Sequence, residues 1–331
     1  MNEISVGILG IGSYVPEKII TNFDLEKTID TSDQWIAERT GIRERHVVSE
    51  GQATSDLATK AAERALLDAG VSAGEIDLII VGTVTPDMQF PSVACLVQDN
   101  IKANNAAAFD LTAVCSGFVY GMATGSAFIK TGTYKKVLVI GAEALSTITD
   151  WSDRNTAILF GDGAGAVVLG ETEPGYGILC LDLGADGNGG NLLRVPAGGS
   201  RLPATAETIA QRLHYTQMDG NEVFKFAIKV MGETVNKALE NARLTAKDVT
   251  CLVPHQANMR IIQSAAKRLG LPMDKVIVNV DKYGNTSAAS IPIALDEGVK
   301  SGRIKNGDVI ALVGFGGGLT WGATIIKWLK S

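Results

Sequence analysis

The chain repeats itself, and that repeat limits its architecture more than any other feature. Ala65–Val81 (ALLDAGVSAGEIDLIIV) aligns with Ala238–Pro254 (ALENARLTAKDVTCLVP) at a constant offset (238 − 65 = 173), with Ala65/Ala238, Leu66/Leu239, Ala69/Ala242 and Ala73/Ala246 identical. Asp110–Gly132 parallels Asp281–Gly302 at an offset of 171, and Val137–Gly141 parallels Ile310–Gly314 at 173. Three pairs in the same order at a nearly constant offset point to duplication. The runs Ile76–Val81, Val137–Gly141 and Val249–Val253 are apolar apart from Asp77 and Thr250, as strands covered on both faces are. Short strands alternating with helices read as parallel α/β units. The expectation is an α/β chain in two halves, 1–173 and 174–331, sharing one core. Ala106–Phe109 and Val276–Val280 are the strands expected before the two Asp residues.

Leu111–Ile129 is nineteen residues without a charge, near the length of a membrane helix. Its Thr, Ser, Gly, Cys and Tyr content fits a helix buried between two sheets instead. Hydrophobic residues make up 46% of the 331 and charged residues 20%, so there is material for a large core and disorder is excluded. Thirty Lys+Arg against thirty-six Asp+Glu give a net charge of −6, which argues against a nucleic-acid partner. Four Cys do not make a disulfide scaffold and suit a reducing, cytoplasmic compartment. The first fifteen residues carry Glu3 and no Lys or Arg, and do not read as a secretory leader.

Cys115, in AVCSGF, falls between a strand and the buried helix. A thiol there feels the positive end of the helix dipole, which favours thiolate and lowers its pKa. The alternative is a small core hydrophobe, the role expected of Cys95, Cys180 and Cys251. His46 reads as a solvated loop residue and His214 as a surface one. His255 follows a strand, where side chains of α/β proteins point into the ligand crevice, although a structural His is the alternative. Asn285 lies in YGNTSAAS, the segment that the repeat pairs with the Cys115 turn. A pseudo-twofold axis would bring Cys115, His255 and Asn285 together; a plain Gly-Asn turn is the other reading.

GILGIGSYVP and FGDGAGAVVLG lack the helix that a dinucleotide fingerprint requires. GFGGGLTWG (Gly314–Gly322) offers backbone N–H groups that can approach a substrate and hold an oxyanion. No Cys/His cluster has zinc spacing, so no metal is expected.

The motifs DTSDQWIAERTGIRERH, FDLTAVCSGF, DRNTAILFGDGAGA, VPHQANMRI, YGNTSAAS and GFGGGLTWG occur in that order along the whole chain. Together they resemble the β-ketoacyl-[acyl-carrier-protein] synthase III family, initiating condensing enzymes of type II fatty-acid synthesis in the thiolase superfamily. The resemblance implies a duplicated five-layer αβαβα thiolase-like fold, a homodimer and a Cys115-His255-Asn285 triad, with the Cys115 and Gly317 N–H groups as oxyanion donors. It implies an acyltransferase that condenses a short acyl-CoA primer with malonyl-acyl carrier protein, without metal or redox cofactor. Trp35 and Arg154 resemble the pair that stacks on the CoA adenine. Thr31 and Arg39 resemble further CoA contacts, Asn258 a pantetheine contact, and Phe90 a residue that enters the partner's acyl pocket. Arg260, Gln256, Lys225, Lys267 and Arg268 resemble carrier-protein docking residues. An acidic carrier and a negative enzyme would repel, so a local basic patch is required. Arg260 and Lys267, seven residues apart, share a helical face. The other readings are a starter-unit condensing or acyl-transfer enzyme of secondary metabolism, a nucleotide-dependent dehydrogenase and a non-catalytic binding module.

Overall fold

A computed structural model describes residues 4–330, and nine of its strands assort into two sheets. The first holds β1 (Val6–Tyr14), β2 (Leu78–Gly82), β3 (Ala107–Leu111), β4 (Val137–Glu143) and β5 (Gly163–Glu171), in the order β1-β5-β4-β2-β3. The second holds β6 (Gly177–Ala185), β7 (Cys251–Pro254), β8 (Val309–Gly316) and β9 (Thr320–Lys327), in the order β7-β8-β9-β6. Shifted by the repeat offset, β2 and β4 fall on β7 and β8. In the sheet orders β9 then takes the place of β5, and β6 that of β1, so the two sheets share one topology. Only β3-β2-β4 and β7-β8 are parallel, and the remaining neighbours are antiparallel. The sheets are mixed rather than parallel throughout. Val276–Val280, expected as a strand, meets β7 through a single parallel bridge at Leu252–Val276 before Val280 enters a helical turn.

Strand periodicity explains the layers. Val137 and Val139 of β4 face one core while Leu138 and Ile140 face another, so both sides of the strand are apolar. The outer core of the first sheet packs under α2 (Thr54–Ala69) and α3 (Val93–Asn100), which follow α1 (Asp33–Thr40) in the chain. The central core holds α4 (Gly117–Lys130), and the outer core of the second sheet packs under α5 (Gly220–Asn241) and α6 (Met259–Leu269). Helix α7 (Ser290–Lys300) joins α4 between the sheets, with Phe118, Met122, Ile291 and Leu295 in the shared core. The stack is αβαβα. Each fully buried Val, Leu or Ile in it contributes roughly 1.5–3 kcal/mol.

The uncharged run is therefore a strand end, a turn and a helix that starts at Gly117, not one long helix. Its small residues have a packing cause: a Cβ at Gly121 would lie 2.7 Å from Val139 Cγ1. GILGIGSYVP lies on β1 and its connection, and GAGAVVLG on β5, so neither is a nucleotide loop. Among the described residues no helix is long and apolar enough to cross a membrane.

Candidate active site

Two pseudo-equivalent turns build the site. One runs from β3 through Val114, Cys115 and Ser116 into α4; the other runs from Asn285 through Ser287 into α7. Val114 and Ser287, 173 residues apart at the offset of the flanking strands rather than the 171 counted from Asp110 and Asp281, both have φ of +49°. Residues with a side chain rarely take that conformation, and its recurrence in both halves marks a turn held by its surroundings. The turns dock against glycine strands. A Cβ at Gly141 would lie 2.2 Å from the Ala288 carbonyl oxygen, and one at Gly316 would lie 2.6 Å from the Cys115 nitrogen.

Cys115, His255, Asn285, Phe315 and Gly316 line one cavity of about 90 Å³. His255 ends β7 with 1% of its surface exposed, and its N–H donates to the Val313 carbonyl at 2.7 Å. Its ring sits edge-on to Phe315, with centroids 5.3 Å apart. Nδ1 lies 2.6 Å from Ser290 Oγ, which also accepts from the Gln256 N–H at 3.3 Å. A Ser290 hydroxyl that donates to Nδ1 leaves the ring proton on Nε2, the tautomer taken for the neutral ring. Asn285 Oδ1 accepts from the Ser287 N–H at 2.9 Å, which leaves the Nδ2 protons to donate. Burial pushes the imidazole down to about 3, so it is neutral.

The thiol behaves differently from the sequence expectation. Burial pushes Cys115 up to about 12, Glu143 adds in the same direction, and the Ser287 hydroxyl opposes them. The resting residue is a thiol rather than a thiolate.

The His255 shift has a consequence for stability. Its folded value lies below its ordinary one, so protons bind the unfolded chain preferentially. Stability is then lost as pH falls from 6.5 towards 3, by roughly 1 kcal/mol per pH unit. His255→Gln is expected to show a shallower fall of Tm over that window, and parallel profiles for the two proteins would contradict the assignment.

Two larger spaces meet the cavity. A groove of about 860 Å³ is lined by Trp35, Arg39, Asn258 and Arg260 among others. Trp35 on α1 is half-buried, with the Arg39 and Arg154 guanidinium carbons 4.6 Å and 4.7 Å from its ring centroid. Thr31 Oγ1 is buried without a hydrogen-bond partner, and Thr31 is not among the residues that line the groove. Asn258 caps α6 by accepting from the Arg260 N–H at 2.8 Å, donates to the Arg39 carbonyl, and lines both groove and cavity. On the other side, an apolar pocket of about 200 Å³, lined by Val84, Val114, Leu145, Ile148 and Phe160, opens on Cys115.

Not every candidate residue faces outward. Gln256 is buried; its Nε2 donates to the Pro254 and Ile277 carbonyls and its Oε1 accepts from the Asn279 N–H. It braces the turn beside His255 and presents nothing to a docking protein. Arg260, Lys267 and Arg268 are exposed on α6, and Lys225 is exposed on α5 where it pairs with Glu222 at 2.7 Å. Phe90 stands 82% exposed between β2 and α3. Cys95, expected in the core, is exposed, whereas Cys251 is buried. His46 is a strand residue whose ring is tilted against that of Tyr283, not a solvated loop residue, and His214 is half-buried against the Thr208 hydroxyl. Gly316, beside the expected Gly317, lines the cavity, as does Gly220. Ser290 closes the YGNTSAAS motif without a role assigned to it there, and Glu143 lies outside the motifs, although it is the one charge in the apolar run Val137–Leu145.

A duplicated αβαβα fold with a thiol, a neutral imidazole and an amide in one cavity defines the thiolase class of condensing enzymes. Family-level matches agree: 3-Oxoacyl-[acyl-carrier-protein (ACP)] synthase III over residues 109–187, and its C-terminal part over residues 239–328. The chain belongs to the β-ketoacyl-[acyl-carrier-protein] synthase III family. It is 60% identical over 328 residues to the enzyme so named from Caldanaerobacter subterraneus subsp. tengcongensis, covering 99% of each chain. The crystal structure of the Thermus thermophilus synthase III matches with a TM-score of 0.92 and 49% identity, over 98% of this chain and 100% of the other. The priming β-ketosynthase of the R1128 polyketide pathway matches with a TM-score of 0.91 and 34% identity, over 98% and 96%.

Proposed function

We propose that the chain transfers a short acyl group from acyl-CoA to Cys115 and condenses it with malonyl-acyl carrier protein, giving a β-ketoacyl-carrier product, CO₂ and CoA. The observation that carries this reading is the cavity in which Cys115 meets two N–H donors, between a polar groove and an apolar pocket. The groove takes the CoA, with Trp35 and Arg154 parting to stack on its adenine, Thr31 and Arg39 alongside, and Asn258 guiding the pantetheine arm. The acyl chain enters the apolar pocket, and the Cys115 and Gly317 N–H groups hold the thioester oxyanion. His255 Nε2–H and Asn285 Nδ2–H then donate to the malonyl thioester oxygen, stabilising the enolate left by CO₂, which attacks the acyl-Cys115. The first half-reaction exchanges one thioester for another and the second forms a carbon–carbon bond with loss of CO₂; neither is a net oxidation or reduction, so neither calls for a metal or redox cofactor.

The halves 1–173 and 174–331 act as one unit, with the site at their junction. Phe90 enters the acyl pocket of a second copy, which makes the enzyme a homodimer in the cytoplasm and favours a small primer. The polyketide-priming reading is not favoured: identity to that enzyme is 34%, against 60% to a named synthase III.

Arg260, Lys267, Lys225 and Arg268 form the basic patch for the acidic carrier. Arg260→Ala is expected to raise KM for malonyl-carrier protein up to about fivefold, the scale of one exposed ion pair, with acyl-CoA loading almost unchanged. Steady-state kinetics with each substrate varied in turn check this. The reading as a whole is tested by supplying acetyl-CoA and malonyl-carrier protein and quantifying products. Equal amounts of CoA, CO₂ and β-ketoacyl-carrier are expected; turnover that depends on NAD(P)H or releases no CO₂ would overturn it.

A further inference from the structure

Glu143, at the end of β4, is fully buried, and its charge is felt at the reacting thiol. Its Oε2 accepts from the Thr85 hydroxyl at 2.7 Å, the Val84 N–H at 3.1 Å and the Thr83 hydroxyl at 3.2 Å. Its Oε1 has no hydrogen-bond partner, and neither does the buried Ser287 Oγ. That hydroxyl lines the same pocket as Cys115, and its turn packs on the strand that carries Glu143. It is near enough to favour the ionised form of each group, but neither contact is a formed hydrogen bond in the resting site. The turn carrying Ser287 packs on β4 and on the Cys115 turn, with Ser287 at its strained φ of +49°. The groups facing Glu143 are thus Thr83, Val84, Thr85, Ser287 and Cys115, and none carries a fixed charge.

The thiol must lose its proton to become a nucleophile, and His255 is poorly placed to take it. Its Nδ1 is bound by Ser290, its Nε2 already carries a proton, and burial disfavours the imidazolium. We propose that, when acyl-CoA binds, the Ser287 hydroxyl closes on both neighbours, and the Cys115 proton passes through it to Glu143 Oε1, which stores it for the lifetime of the acyl-enzyme and then returns it. This rests on the acyl-transfer reading above and supplies its proton inventory.

The steps balance. As the sulfur–carbon bond to the acyl group forms, the Sγ proton moves to Ser287 Oγ and the Ser287 proton moves to the Glu143 carboxylate. The bond to CoA breaks, and the CoA thiolate leaves through the groove and takes a proton from solvent. In the second half-reaction the malonyl carboxylate departs as CO₂, its electron pair forms the new carbon–carbon bond, and Cys115 leaves as a thiolate. That thiolate recovers the stored proton from Glu143 through Ser287. One solvent proton is consumed per turnover, as the overall reaction requires.

The environment of Glu143 suits storage, because burial raises its carboxyl to about 7 against the opposing hydrogen bonds. Acceptance needs the ionised form, so acyl loading should fall as pH drops through about 7. Glu143 acts through Ser287, so its test must move something that a structural role would leave in place. The decisive comparison is the pH profile of single-turnover acetyl loading by wild type, Glu143→Gln, Glu143→Asp and Ser287→Ala, read by intact-protein mass spectrometry. Malonyl-carrier decarboxylation is measured alongside, since it uses His255 and Asn285.

Glu143→Gln and Ser287→Ala are expected to load about a hundredfold more slowly, within the range for a lost proton acceptor, and to lose the inflection near pH 7 while still decarboxylating. Glu143→Asp, which keeps a carboxylate, should retain an inflection. Wild-type loading rates and profiles in Glu143→Gln would overturn the proposal. Should Glu143→Gln fail to fold, Ser287→Ala decides: an unchanged pH profile there rules the relay out. If wild type itself forms no acyl-enzyme, the acyl-transfer reading fails instead, so the two failures are distinguishable.

Discussion

Cys115→Ala loses acyl loading and condensation together, by at least about a thousandfold, because no other group in the cavity can form the thioester. The fold should survive, since Ala is smaller than Cys and the pseudo-equivalent position in the second half is already Ala288. Decarboxylation of malonyl-carrier protein should persist, because His255 and Asn285 remain in place. Far-UV circular dichroism, acyl-CoA loading and CO₂ release on one preparation separate these outcomes. Full loading of Cys115→Ala would move the nucleophile elsewhere. Of the other three Cys, Cys95 is exposed and Cys180 and Cys251 lie on strands β6 and β7, and the cavity includes none of them.

The second large effect falls on the other half-reaction. His255→Ala and Asn285→Ala are each expected to lower condensation about 10²–10³-fold, the scale of one donor to a developing oxyanion. Acyl loading should change far less, because in the proposed mechanism the donors act after Cys115 is acylated. The double variant should fall short of the product of the single effects, since both donors serve one oxygen. Ser290→Ala gives a milder version: it releases Nδ1 and lets the ring proton move from Nε2, so condensation weakens without loss of any group that touches substrate. Single-turnover loading followed by a malonyl-carrier chase resolves the two steps. A variant of His255 that fails equally in both would contradict the division of labour.

Much of this arrangement can be read in the sequence because duplication is a long-range constraint written in short-range patterns. The repeat offset pairs β2 with β7 and β4 with β8, and places Asn285 beside the Cys115 turn. Apolar runs mark strands buried on both faces, and α4 is nearly free of charge because it lies between two sheets. What stays hidden depends on three-dimensional surroundings. The helix N-terminus suggests an acidic thiol, but desolvation outweighs that dipole and raises it. Gln256 is expected outside because it is polar, yet its amide is consumed by three backbone groups. Strand direction is likewise invisible in a run of Val and Ile, so the antiparallel β5, β1, β9 and β6 leave no mark. Glu143 does leave one, since a lone carboxylate inside a buried strand demands a partner or a proton.

The central claim is that Cys115 carries the acyl group between two thioesters. Intact-protein mass spectrometry with peptide mapping, after acetyl-CoA and then malonyl-carrier protein, tests it directly. One acetyl group on Cys115, discharged by the chase in step with β-ketoacyl-carrier formation, is the predicted result. An adduct on another residue, or one that the chase leaves in place, would contradict the account.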